Sequence, residues 1–134
     1  MTDIKNKILK LVNKDNEYVL ALSGGVDSAV LASIFNDLNL SYRTIFINHN
    51  QKDSNILQTS AEEIAKNLKT KHENIISDLE KNASETKMRE KRYGLLIDNL
   101  KKDEILVTGH HKDDKVETFL INLFRGTRLK GLTS

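Results

Sequence analysis

The sequence predicts an α/β protein: a doubly wound, mostly parallel sheet with helices on both faces. Two observations carry that prediction. Short apolar runs alternate with amphipathic stretches of helical period along all 134 residues. The stretches between successive runs are also long enough to be crossovers, and parallel strands need crossovers. The chain has no internal repeat, no low-complexity tract and no Gly/Ser/Pro linker. One domain spanning residues 1–134 is therefore expected.

The elements follow in order. Ile4, Ile8, Leu9, Leu11 and Val12 recur at helical spacing and predict a short opening helix. Tyr18–Leu22 (YVLAL) is a buried strand. Residues from about Asp27 to Leu38 carry Val30, Leu31, Ile34, Phe35 and Leu38 on one helical face. Ser41–Ile47 (SYRTIFI) is rich in β-formers and reads as the second strand. From about Asn55 to Leu68 a helix shows Leu57, Ala61, Ile64, Ala65 and Leu68 as its stripe. His72–Ile76 is the third strand. Asn82 followed by Glu85 reads as a capping box that opens a helix to about Leu100. Glu104–Thr108 (EILVT) is a strand, and residues from about Asp113 to Phe124 form a helix with Val116, Leu120, Leu123 and Phe124 inward.

Composition excludes several chemistries. The chain has no cysteine, so disulfides, thiolate metal sites, iron–sulfur clusters and cysteine nucleophiles are ruled out. Its 21 basic and 19 acidic residues give a net charge of +2, too little for a polybasic binder, although a local patch can still serve. No apolar run approaches the ~20 residues that span a bilayer, and the N-terminus lacks the apolar core of a signal peptide. A cytoplasmic protein with no membrane association is expected.

In doubly wound sheets ligands sit at the carboxyl ends of the strands, near the reversal of strand order. Two strands here run into polar strings: YVLAL into SGGVDS, and EILVT into GHHKDD. SGGVDS lies at a helix start, where free backbone N–H groups and the helix dipole attract anions. Gly24 and Gly25 let the backbone curl and approach a phosphate, and Ser23 and Ser28 can donate hydroxyl hydrogen bonds. Asp27 would repel a phosphate unless a cation lay between them, which points to Mg²⁺. The GK[ST] ending of a Walker A loop is absent. The plain alternative is a Gly-Gly turn with Ser23 or Asp27 as an ordinary helix cap.

GHHKDDKVET places His110, His111, Asp113, Asp114 and Glu117 within a short string. On the expected helix, Asp114 and Glu117 are three apart on the first turn, so they cluster at its mouth and suit a cation or an ammonium group. Acidic residues in a first turn also suit the helix dipole without any further role. Metal phosphohydrolases of the HD type use similar pairs, but their folds are all-helical.

The full SGGVDS string resembles the signature of the PP-loop (N-type) ATP pyrophosphatases. The wider pattern resembles the tRNA(Ile)-lysidine synthase family of PP-loop enzymes. It runs from SGGVDS through Asn48-His49, MREKRY at Met88 to Tyr93 and GHHKDDKVET to RGTRLKGL at Arg125 to Leu132. The resemblance implies an adenine nucleotide alpha hydrolase-like, Rossmann-like fold and a reaction. ATP adenylates the C2 carbonyl of the wobble cytidine in a CAU-anticodon tRNA(Ile), and free L-lysine displaces AMP to give lysidine. By position, Ser23, Gly24, Gly25, Val26, Asp27 and Ser28 are implied to hold ATP and pyrophosphate, with Asp27 on Mg²⁺. Asp114 and Glu117 would receive the lysine. Asp27, His111, Asp114 and Arg125 would be catalytic, and His49, Arg89, Arg92 and Arg128 would contact nucleotide or tRNA.

Two departures bear on that resemblance. Asn50 stands where the family often has glycine, a turn that Asn can still make. Family members also continue past the GL at 131–132, usually into C-terminal tRNA-binding domains, so the chain reads as the catalytic part alone. The rival readings are a non-catalytic ATP-binding fragment and a 2-thiocytidine-type PP-loop enzyme, which the lack of cysteine disfavours. NAD and GMP synthetases share the first loop but not the later strings. A homodimer stays open.

Overall fold

The computed structural model describes residues 2–113 and 116–125. Its elements are α1 (Thr2–Leu11), β1 (Glu17–Ala21), α2 (Val26–Asp37), β2 (Ser41–Asn48), α3 (Ser54–Leu68), β3 (His72–Ile76), α4 (Glu85–Asp98), β4 (Glu104–Asp113) and β5 (Val116–Arg125). The five strands form one sheet in the order β3-β2-β1-β4-β5. The first four are parallel, and β5 returns antiparallel to β4.

Strand order dictates where the helices lie. The chain moves outward from β1 to β2 to β3, so right-handed crossovers put α2 and α3 on one face. It then crosses back past β1 to β4, which reverses direction and sends α4 to the other face. Side-chain alternation agrees. Tyr18, Leu20, Phe46, Ile105 and Val107 pack with Ile8, Leu31, Phe35, Ala61 and Ala65 from α1, α2 and α3. Val19, Ile45, Ile47 and Leu106 pack with Leu96 and Leu100 at α4. Both faces are covered, which is why Tyr18–Leu22 and Ile45–Ile47 read as unbroken apolar runs. Phe35 is fully buried and meets Tyr18 edge-on at 5.3 Å.

Two expectations are corrected. The cap of α4 is Ser84, not Asn82: the Ser84 side chain accepts the Lys87 N–H at 3.2 Å. Asn82 instead sits in the left-handed region at φ 62°, where its N–H donates to Gln51 Oε1. The second correction is larger. Residues 116–125 form a strand rather than a helix, and β4 runs on through Gly109, His110 and His111 to Asp113. The segment is rich in Val, Thr, Phe and Ile, which favour strands. Period 2 also serves both sheet faces, with Ile121 and Leu123 against one cluster and Phe124 against the other. A short apolar run fits either period, and the sheet edge decided it.

No helix among the described residues is long and apolar enough to cross a membrane.

Candidate functional site

The reversal of strand order falls between β1 and β4, and the Ser23–Ser28 loop leaves the carboxyl end of β1 there. The loop is closed on its own hydroxyls. Ser28 Oγ accepts the Ser23 N–H at 3.0 Å and lies 3.1 Å from Ser23 Oγ, while Ser23 Oγ accepts the Gly25 N–H at 3.2 Å. Ser28 is buried; Ser23, Gly25 and Val26 are exposed. Gly25 caps α2 and offers no side chain, so neither Ser23 nor Asp27 is the cap residue. The helix start is therefore open to an anion, with the positive end of its dipole outward.

Gly24 is fixed by geometry. Its φ is +82°, and a Cβ there would lie 2.7 Å from the Leu57 carbonyl oxygen of α3. Ser60 Oγ donates to the Gly24 carbonyl at 3.1 Å. The loop thus rests directly on α3, and only glycine permits that approach.

Beside the loop a cavity of about 540 Å³ opens between the sheet, α3 and α4. Ala21, Ile47, Met88 and Leu96 give it apolar walls; Ser23, His49 and Arg92 supply polar groups. A second cavity of about 480 Å³ adjoins it, lined by Thr86 and Arg89 and sharing His49, Glu85, Met88 and Arg92. Apolar walls with a few convergent polar groups suit a small-molecule ligand.

Arg89 and Arg92 both lie over the Tyr93 ring, at 5.5 Å and 5.7 Å from its centroid. Burial lowers the Arg92 pKa, and the neighbouring Arg89 charge lowers it further, against an opposing effect of Tyr93. Two guanidinium groups held this close favour an anion. Burial, and then the charge of Arg92, also lowers the His49 pKa, which favours the neutral imidazole. Arg92 is therefore more than a solvated surface residue.

The other sequence-predicted residues are placed differently. His110 and His111 belong to β4, opposite Leu120 and Phe119 of β5, so they extend the sheet past the end of β1 and do not form a loop at its rim. Glu117 lies in β5, and its expected helical spacing to Asp114 does not apply. Asp114 and Arg128 lie outside the described residues. Arg125 pairs with Ile105, near the amino end of β4, so the antiparallel return of β5 carries it away from Ser23–Ser28. Among the described residues, no three His, Asp or Glu side chains converge as a metal centre. Asp27 on the first turn of α2 is a single carboxylate beside an anion site, which is the donor set Mg²⁺ accepts when phosphates complete its shell.

A family model for the PP-loop domain matches residues 1–134. The chain belongs to the PP-loop domain family. This PP-loop domain is similar to the tRNA(Ile)-lysidine synthase of Buchnera aphidicola, with 37% identity over 140 residues, covering 98% of this chain and 31% of that protein. It is 34% identical over 148 residues to the chloroplastic tRNA(Ile)-lysidine synthase of Gracilaria tenuistipitata, covering 99% of this chain and 46% of that one. The synthase of Hydrogenovibrio crunogenus is 31% identical over 134 residues, covering 96% and 32%. The chain thus spans about a third to just under half the length of these relatives. An NMN synthetase from Francisella tularensis superposes with a TM-score of 0.50 at 18% identity, over 76% of this chain and 48% of that one, a likeness of fold.

Sequence reasoning missed Gln51 and Ser77. The Gln51 amide donates to the carbonyls of His49 and Glu80 and accepts from Asn82, tying two loops at the cavity mouth. Ser77 is buried against His49. Neither belongs to a chemical motif, so only tertiary proximity reveals them.

Proposed function

We propose that this PP-loop domain uses ATP to join free lysine to C2 of the wobble cytidine in a CAU-anticodon tRNA(Ile). The products are lysidine, AMP and pyrophosphate, made in the cytoplasm. One observation carries the reading: an anion-ready helix start, folded on its own serines, beside a cavity large enough for a nucleoside. The similar proteins named tRNA(Ile)-lysidine synthase support the substrate class.

The adenosine occupies the cavity against Ala21, Ile47 and Met88, and the phosphates lie over Ser23–Ser28. Asp27 would hold Mg²⁺, which when bound offsets the charge of the phosphates. The C2 carbonyl oxygen of cytidine attacks the α-phosphorus, the bond to the bridging α–β oxygen breaks, and pyrophosphate leaves toward the open amides of α2. The lysine ε-amine, in its neutral form, then adds at C2. The C2–O bond breaks, AMP carries the oxygen away, and the attacking nitrogen gives up a proton to solvent. Asp114 and Glu117 are assigned to lysine binding, and His111 to charge at the adenylated centre. Arg89, Arg92 and Arg128 are assigned to nucleotide or tRNA phosphates.

Substitution tests these roles separately. Asp27→Ala or Ser28→Ala abolishes AMP formation, and undiminished AMP in either variant overturns the loop's role. Asp114→Ala raises the lysine requirement more than the ATP requirement; an unchanged lysine dependence removes that assignment.

A further inference from the structure

Two buried side-chain atoms among the described residues make no hydrogen bond: His49 Nε2 and Thr108 Oγ1. Both sit at the carboxyl end of the sheet, His49 just after β2 and Thr108 in β4 two residues beyond Leu106. A buried polar group without a partner costs about 1–3 kcal/mol, so its presence calls for a reason. For His49 the reason is legible in its other nitrogen.

His49 Nδ1 lies 2.8 Å from Ser77 Oγ. Ser77 is 1% exposed, and its own N–H donates to the Asn48 carbonyl at 2.8 Å, so the backbone that carries the hydroxyl is anchored. Two arrangements are open. If Nδ1 carried the proton, the Ser77 O–H would be buried with no acceptor, and Nε2 would be a second orphan. If the Ser77 O–H donates to Nδ1, only the Nε2–H is left without a partner. The second arrangement strands one group rather than two, and it is the stable one.

We infer that Ser77 is a positioning residue that locks His49 as the Nε2–H tautomer, and that this N–H donates to an acceptor atom of the bound nucleoside. The inference rests on the nucleotide reading of the cavity. His49 lines both cavities beside Met88 and Arg92. Burial and the Arg92 charge favour the neutral ring, so it acts as a directional donor rather than as one more cation beside Lys52, Arg89 and Arg92. A neutral N–H suits a purine nitrogen or a ribose oxygen; phosphate is left to the arginines and the Ser23–Ser28 loop.

Ring ¹⁵N NMR on the whole chain tests this, with adenosine, AMP, ATP and pyrophosphate as probes. The free protein should show a protonated Nε2 and a bare Nδ1 on His49 at neutral pH. Adenosine, AMP and ATP should each move the Nε2–H signal, and pyrophosphate alone should not. Ser77→Ala should mix the tautomers and weaken AMP binding about two- to tenfold, the scale of one hydrogen bond. His49→Gln, which keeps a donor near the Nε2 position, should retain more affinity than His49→Ala. A protonated Nδ1, a signal moved by pyrophosphate alone, or equal AMP affinity in Ser77→Ala and the parent overturns the inference. ATP that binds while His49 stays unmoved overturns this inference alone, and means that a resident water satisfies Nε2. ATP that fails to bind overturns the nucleotide reading and this one with it.

Discussion

Ser23 and Ser28, five residues apart, close the loop between β1 and α2 on each other: Ser28 Oγ accepts the Ser23 N–H at 3.0 Å, and the two hydroxyl oxygens lie 3.1 Å apart. The buried member fixes the exposed one. Ser28→Ala therefore removes the acceptor of the exposed Ser23 N–H, which water can then take, at a cost of about 0.5–1.5 kcal/mol in stability. Chemical denaturation measures that loss, and a stability equal to the parent's contradicts the closure.

Gly24 gives a sharper test, because space and backbone agree. Gly24→Ala forces a Cβ to within 2.7 Å of the Leu57 carbonyl oxygen and strains a φ of +82°. The loop and the start of α3 must separate, costing about 1–3 kcal/mol for the backbone strain alone. Nucleotide affinity falls with it. Gly25→Ala meets only Ser23 Oγ at 3.3 Å and should cost less, so calorimetric titration with ATP should rank the two in that order.

At the opposite end of the sheet, Arg43 grips Glu104 through two bonds of 2.9 Å, and Arg43 also donates to the Asn99 carbonyl. Burial alone would raise the Glu104 pKa, but the Arg43 hydrogen bonds and charge and the Lys101 N–H outweigh it and hold it below its ordinary 4.5. The sign follows from linkage. The pair's stabilisation is complete above the unfolded carboxylate's pKa and disappears as pH falls through the lower folded value. Glu104→Ala leaves Arg43 without its main partner and should cost about 3–5 kcal/mol. Thermal melts from neutral to acid pH should show a steeper acid loss in the parent than in Glu104→Gln.

His49 titrates in a different window. Its folded pKa lies below the ordinary 6.5, through burial first and Arg92 second. Its stabilisation is present above the unfolded value and is lost as pH drops through the folded one. Melting temperature should therefore fall as pH goes from about 7.5 to 5.5, the range of histidine titration, and His49→Gln should flatten that slope. An unchanged slope contradicts a depressed His49.

Much of the fold was legible because the sheet is buried on both faces. YVLAL and SYRTIFI are apolar on alternate residues toward two different clusters, and they read as strands from composition alone. The helices α2 and α3 were legible from their stripes to within a residue or so. Phe119 to Phe124 were not, since five apolar residues broken only by Asn122 fit both periods and only pairing with β4 decides between them. The cap of α4 was misread for a related reason: Asn82 and Ser84 both suit a cap, and Gln51, distant in sequence, takes the Asn82 amide. The first loop was legible as chemistry because Gly, Ser and Asp there act on the local backbone. Ser77 and Gln51 were not, because they act only across the fold.

The reaction product decides whether this chain makes lysidine. The purified chain is incubated with Mg-ATP, lysine and an unmodified CAU-anticodon tRNA(Ile) transcript, and the digested nucleosides are weighed by mass spectrometry. The lysidine nucleoside is expected, with AMP released in equal amount and both lost in Ser28→Ala. Release of ADP in place of AMP, or AMP with the cytidine unchanged when lysine is saturating, would contradict it.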